Sequence, residues 1–212
     1  MKTILCYGDS LTWGYDAVGP SRHAYEDRWP SVLQGRLGSS ARVIAEGLCG
    51  RTTAFDDWVA GADRNGARIL PTLLATHSPL DLVIVMLGTN DMKSFVCGRA
   101  IGAKQGMERI VQIIRGQPYS FNYKVPSILL VAPPPLCATE NSDFAEIFEG
   151  GMAESQKLAP LYAALAQQTG CAFFDAGTVA RTTPLDGIHL DAENTRAIGA
   201  GLEPVVRQAL GL

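Results

Sequence analysis

The sequence predicts an α/β fold of the flavodoxin-like type, a three-layer α/β/α sandwich around a five-stranded parallel sheet. Two observations predict it. Five apolar runs of strand length, at 3–7, 41–45, 82–87, Ser127–Ala132 and Ala172–Asp175, are rich in Val, Ile, Leu or Phe with little polar alternation. That is the pattern of strands covered on both faces. Segments of helical period separate them, and regular alternation of strand and helix builds a doubly wound sheet. No internal repeat or linker interrupts the 212 residues, so one domain over 1–212 is expected.

The helices follow in order. Trp29–Leu37 carries Pro30 near its start, where the missing N–H costs nothing. Gly66–His77 sets Ile69, Leu70, Leu73 and Leu74 on one stripe, with Pro71 in or near its first turn. In 103–115, Met107, Ile110, Val111 and Ile114 fall at helical spacing. A helix over 153–169 offers Leu158, Leu161 and Leu165, and one over 194–210 offers Ile198, Leu202, Val205 and Val206. Pro160 and Pro204 are expected kink sites in these two. The stretches 117–124 (QPYSFNYK) and 133–143 (PPPLCATENSD) read as loops, serving as surface connection, subunit contact or substrate wall.

Composition narrows the function. The chain is 47% hydrophobic and 18% charged, with a formal net charge of -3. It has no basic excess to attract nucleic acid or anionic membrane, and a small-molecule partner is expected instead. No run approaches the roughly 20 apolar residues that cross a bilayer. The apolar start at 3–7 is short for a secretory signal and lacks a small-residue cleavage site. The five cysteines, Cys6, Cys49, Cys97, Cys137 and Cys171, form no Cys-x-x-Cys pair and no Cys/His cluster. A cytoplasmic protein with reduced thiols, four of them buried as small hydrophobes, and with no metal site is expected.

Ligands of open α/β sheets gather beyond the carboxyl ends of the strands. Strand one runs into Gly8-Asp9-Ser10-Leu11, strand two into Gly47-Leu48-Cys49-Gly50-Arg51-Thr52-Thr53, and strand three into Gly88-Thr89-Asn90-Asp91. After the fifth strand comes Asp186-Gly187-Ile188-His189. Singly, each reads equally well as a helix cap or a turn. Together, in this order, they point to nucleophilic catalysis. A serine hydroxyl needs a base to take its proton, and imidazole is the natural one near neutral pH. Of three histidines, His23 lies among charged and aromatic residues and His77 ends a helix, which leaves His189 as the base for Ser10. Asp186, three residues earlier, can accept from the imidazole Nδ1–H. Oxyanion donors are each worth about 3 kcal/mol. The Ser10 and Gly50 amides and the Asn90 side chain are the expected set.

These four blocks resemble the SGNH hydrolases, also called the GDSL esterase and lipase family, whose serine, glycine, asparagine and histidine are matched by Ser10, Gly50, Asn90 and His189. Asp186 matches the family's D-x-x-H acid. Finer features are similar to the bacterial arylesterase and carbohydrate acetylesterase branch: 8–14 (Gly-Asp-Ser-Leu-Thr-Trp-Gly), Arg28-Trp29-Pro30, the block 46–53 and the proline run 133–135. Two departures are Glu46-Gly47, where many members carry an asparagine before the glycine block, and Cys49, where serine is common. The resemblance implies short acyl esters, acetyl especially, of aryl or sugar alcohols, with acyl transfer to alcohols as a second outcome and no cofactor. A lysophospholipase or thioesterase of the same family is the nearest alternative. Trp13 is a candidate wall of the acyl pocket and Asp9 a candidate substrate-binding residue, although Asp9 and Asp91 also suit holding backbone by hydrogen bonds. Surface or packing roles suit Asp16, Arg51 and Trp58, and Phe95 and Val96 fit a pocket mouth or a helix start. Three other readings remain. An FMN-type phosphate loop lacks its glycine-rich fingerprint. A phosphoesterase metal site built from Asp9, Asn90, Asp91 and Asp186 leaves Ser10 and His189 without a purpose. A non-catalytic carbohydrate- or nucleotide-binding module would keep the fold alone. Loops that could pack between subunits lead to the expectation of a homo-oligomer.

Overall fold

The computed structural model describes residues 1–19 and 21–212. The elements run β1 (Lys2–Gly8), α1 (Ser10–Trp13), β2 (Tyr15–Asp16), β3 (Ser21–Arg22), α2 (Trp29–Leu37), β4 (Ala41–Gly47), α3 (Gly66–His77), β5 (Leu82–Met86) and α4 (Ala100–Gly116). The second half continues with β6 (Ser127–Ala132), α5 (Ser142–Ile147), α6 (Gly151–Ser155), α7 (Leu158–Thr169), β7 (Ala172–Asp175) and α8 (Ala192–Leu210). Five strands form one parallel sheet in the order β4-β1-β5-β6-β7. This is the expected flavodoxin-like order, with its switch point where β1 lies between β4 and β5.

Alternate side chains of each strand enter opposite layers, as the two-residue period of a strand requires. From β1, Leu5 and Tyr7 pack with Leu70 and Leu74 of α3, Met107 and Ile110 of α4, and Tyr162 and Leu165 of α7. Ile4 and Cys6 pack on the other side with Trp29 and Leu33 of α2 and Ile198, Leu202 and Val206 of α8. The central strands β1, β5 and β6 are therefore covered on both faces, which explains their unbroken apolar runs, while the edge strands β4 and β7 are only partly covered.

The helix expected over 153–169 is two helices, α6 and α7, parted at Gln156–Lys157. Pro160 consequently lies in the first turn of α7, where a proline breaks no bond. Pro71 sits deeper in α3 than expected, at its sixth residue, and Pro204 lies inside a continuous α8. The thiols differ from expectation too. Only Cys6 is buried, the other four are half-buried, and all five are free. Phe95 is exposed and precedes α4 rather than starting it. The small hairpin β2–β3, pairing Tyr15 with Arg22, has no alternating pattern to announce it.

Candidate active site

Two glycines let α1 settle onto the carboxyl ends of β1 and β4. A Cβ on Gly8 would lie 2.0 Å from Thr12 Oγ1, and one on Gly47 would lie 2.2 Å from the Trp13 nitrogen. Asp9 caps the short helix by accepting from the Leu11 N–H at 2.9 Å. Ser10 thereby begins α1, and its own N–H has no acceptor among the described residues.

His189 and Asp186 arrive from the far edge of the sheet, on the loop that leads into α8. That loop closes on itself through Thr183 N–H to His189 O (2.7 Å) and Gly187 N–H to Thr183 O (2.9 Å). It is pinned to the 133–143 segment by Cys137 N–H to Gly187 O (3.0 Å). Gly187, at φ +78, passes so close that a Cβ would meet Cys137 O at 2.6 Å. His189 Nε2 then lies 2.9 Å from Ser10 Oγ, and its Nδ1 lies 2.6 Å from Asp186 Oδ2. The other oxygen of Asp186 accepts from the Ile188 and His189 amides at 3.0 and 2.9 Å. Burial acts to raise the Asp186 pKa, but the hydrogen bonds and charge of His189 outweigh it and hold the carboxyl below its ordinary value. All three side chains are buried.

Two aromatic rings confine the imidazole. Tyr15 stacks on it at 4.1 Å between centroids and 31° between planes, and Phe144 meets it edge-on at 6.4 Å. Neither ring is signalled by the sequence, because each reaches His189 only through tertiary structure. Trp13 is half-buried, with the Arg22 guanidinium 4.6 Å above its ring.

Gly50 adopts φ +82, a conformation that favours glycine, and its N–H has no acceptor among the described residues. The Asn90 amide nitrogen donates to Arg51 O at 3.2 Å and makes a longer contact, 3.4 Å, with Asp9 Oδ2. Beneath these residues lie two fully buried carboxyls. Burial pushes Asp9 up to about 7, against the opposing Leu11 N–H bond and with Asp91 adding to the rise. Burial likewise pushes Asp91 up to about 6, although the hydroxyl and N–H of Thr53 both donate to it. Asp9 therefore reaches no open surface. Its burial gives no support to the expected contact with substrate: beneath its own helix, its side chain accepts from the Leu11 N–H and from the Asn90 amide. Among the described residues no group of three His, Cys, Asp or Glu side chains stands together as a metal would need.

Arg51 is buried rather than at the surface. One guanidinium nitrogen donates to Gly8 O at 2.7 Å and also to Glu46 O, and the group stacks 4.2 Å from the Tyr7 ring centroid. Beside the acid, a hollow of about 310 Å³ is lined by Leu136, Phe144, Phe148, Met152 and Ile188 among others. The 133–143 loop thus walls a hollow next to the site. The 117–124 loop does not line this hollow.

Comparison with known proteins bears on this geometry. Residues 6–197 match the model of the GDSL-like lipase/acylhydrolase family. A carbohydrate acetylesterase family member from Sinorhizobium meliloti is 64% identical, with 100% of each chain covered and a TM-score of 0.99. The aryl esterase of M. smegmatis is 43% identical over 99% of this chain and 100% of its own, with a TM-score of 0.94. A second carbohydrate acetylesterase from Sinorhizobium meliloti is 40% identical over 98% of this chain and 99% of its own, with a TM-score of 0.92. No relative is found among curated proteins.

Proposed function

This chain belongs to the GDSL-like lipase/acylhydrolase family, and from that premise we propose that it is a serine esterase of short acyl esters, acetyl above all, on aryl or sugar alcohols. The observation that carries the reading is the unbroken chain of contacts from Ser10 Oγ through the His189 ring to Asp186. Ser10 Oγ attacks the ester carbonyl while His189 Nε2 takes its proton. Asp186 holds the Nδ1–H and stabilises the imidazolium that forms. The oxyanion is received by the Ser10 and Gly50 amides, whose lack of internal acceptors among the described residues supports the role. Asn90 adds the side-chain N–H that meets only Asp9 Oδ2, at 3.4 Å, and is free to turn onto a charge while the other N–H stays on Arg51 O. The bond from carbonyl carbon to alkoxy oxygen breaks as His189 protonates the leaving alcohol. Water, or a second alcohol, then gives a proton to His189 and takes the acyl group from Ser10, and His189 returns that proton to the departing Ser10 Oγ. No step calls on a cofactor.

We infer that Trp13, at the end of the helix that Ser10 begins, and Tyr15, stacked on the His189 ring, wall the acyl side. Acetylesterase and arylesterase relatives of full length support the substrate class. Hydrolysis of p-nitrophenyl acetate by the wild type, abolished in Ser10→Ala, is the expected result. Activity that survives Ser10→Ala and disappears with EDTA would favour a metal-dependent phosphoesterase instead. Retained fold and substrate binding without turnover would leave a binding module. A preference for long-chain esters would point to the lysophospholipase or thioesterase alternative while sparing the triad.

Two further features complete the reading. Five free thiols suit a reducing compartment, the cytoplasm, which fractionation would check. Trp58 at 89% exposure, Val59 and Phe121 are large apolar side chains open to solvent. They suit burial against other copies of the chain, as a homo-oligomer. Sedimentation equilibrium that finds only monomer would refute this. No helix among the described residues is long and apolar enough to cross a membrane.

A further inference from the structure

The three donors assigned to the oxyanion come from separate strand ends, yet they must converge on one oxygen. Ser10 follows β1, Gly50 follows β4 and Asn90 follows β5. Hydrogen bonds within the sheet stop at Gly8, Gly47 and Met86, so something beyond the sheet must fix the spacing. Arg51 is the residue that touches all three branches. Its guanidinium donates to Gly8 O, two residues before Ser10, and to Glu46 O on β4. Its backbone follows directly on Gly50, and its carbonyl accepts from the Asn90 amide at 3.2 Å. Its N–H bonds back to Leu48 O at 3.0 Å, and Leu48 N–H bonds to Gly8 O at 3.1 Å. These close the 47–51 turn against the nucleophile strand.

The arrangement is a poor choice for stability alone. Arg51 is 3% exposed, its Nε has no partner among the described residues, and its guanidinium bonds go to neutral carbonyls rather than to a carboxylate. A buried charge with an unmatched N–H is destabilising. An apolar side chain of similar length over the Tyr7 ring would fill the same space.

We propose that Arg51 is the positioning residue of the oxyanion site, holding the Ser10, Gly50 and Asn90 donors in mutual register by bonds from its guanidinium and its carbonyl. Arg51 does not touch the substrate. It acts through the three groups that do, and the inference rests on the esterase reading above.

The test is a double-mutant cycle on p-nitrophenyl acetate hydrolysis with Arg51→Met, Asn90→Ala and the pair, each checked for folding by thermal unfolding. Misplacement of catalytic groups by about 1 Å costs about a hundredfold in rate. Arg51→Met is therefore expected to lower kcat by about that factor with KM changed less than about threefold. Asn90→Ala loses one donor and falls by about a hundredfold or more. The double variant should be no more than about threefold below the worse single one, since both changes spoil the same site. Arg51→Lys keeps the charge but loses the fork, and should recover part of the lost kcat. Where Arg51→Met does not fold, Arg51→Lys carries the same cycle. Unchanged kcat in a folded variant, or losses that multiply with those of Asn90→Ala, would overturn the proposal. Ser10→Ala separately tests the esterase reading, so the two failures are distinguishable.

Discussion

The hydroxyl of Ser10 stands 2.9 Å from the His189 imidazole with the buried Asp186 carboxylate behind it, the arrangement that the proposed nucleophile requires. Those three residues were legible in the sequence. Three histidines left few bases to choose from, and Asp186 precedes His189 by three residues. Tyr15, Phe144 and the buried Arg51 were not legible. A ring or a guanidinium carries no periodic signature, and its partner lies far along the chain. The two carboxyls beneath the site give a titration of stability. A carboxyl whose folded pKa is raised favours the folded state while protonated. The contribution is complete below the unfolded value of 3.8 and is lost as pH rises through the folded value, about 7 for Asp9 and about 6 for Asp91. The wild-type Tm should therefore carry a falling component between about pH 4 and pH 7, and Asp9→Asn should fall less steeply over that window. Parallel curves for the two proteins would show that Asp9 does not titrate there.

At the level of elements, the strands were the clearest features, because the central ones are covered on both faces and every apolar residue counts toward the pattern. The break between α6 and α7 was invisible, since Gln156–Lys157 holds neither glycine nor proline and the apolar stripe continues across it. Ser155 marks the end of α6 with its side chain, which donates to Met152 O and accepts from Leu136 N–H. Such a use of serine shows only in the fold. Two glycines with opposite surroundings separate geometry from propensity. Gly47 has no room for a Cβ against the backbone of Trp13. Gly47→Ala should displace α1, costing about 1–3 kcal/mol of stability and lowering kcat with it. Gly35, inside α2 and exposed, has open space around it. Gly35→Ala should raise stability by about 0.5–1 kcal/mol and leave kcat unchanged. Denaturant unfolding with initial rates reads both, and equal effects at the two positions would contradict the packing described for α1.

Across the whole molecule, a parallel sheet aligns its strand ends on one edge, and the order β4-β1-β5 brings Gly50, Ser10 and Asn90 together there. Asp186 and His189 come from beyond β7 at the far side of the sheet, carried back by the loop that Cys137 and Gly187 clasp. The sheet order was foreseeable from alternation of strand and helix. That clasp was not, because it depends on a glycine at φ +78 meeting a carbonyl fifty residues earlier. The account's central claim is that Ser10 is the nucleophile and His189 its base. Titration with diethyl p-nitrophenyl phosphate, read by peptide mass spectrometry and residual activity, tests it most directly. One phosphoryl group per chain on Ser10, activity lost in proportion, and no label in His189→Ala are the predicted result. A label elsewhere, or full activity with Ser10 phosphorylated, would contradict it.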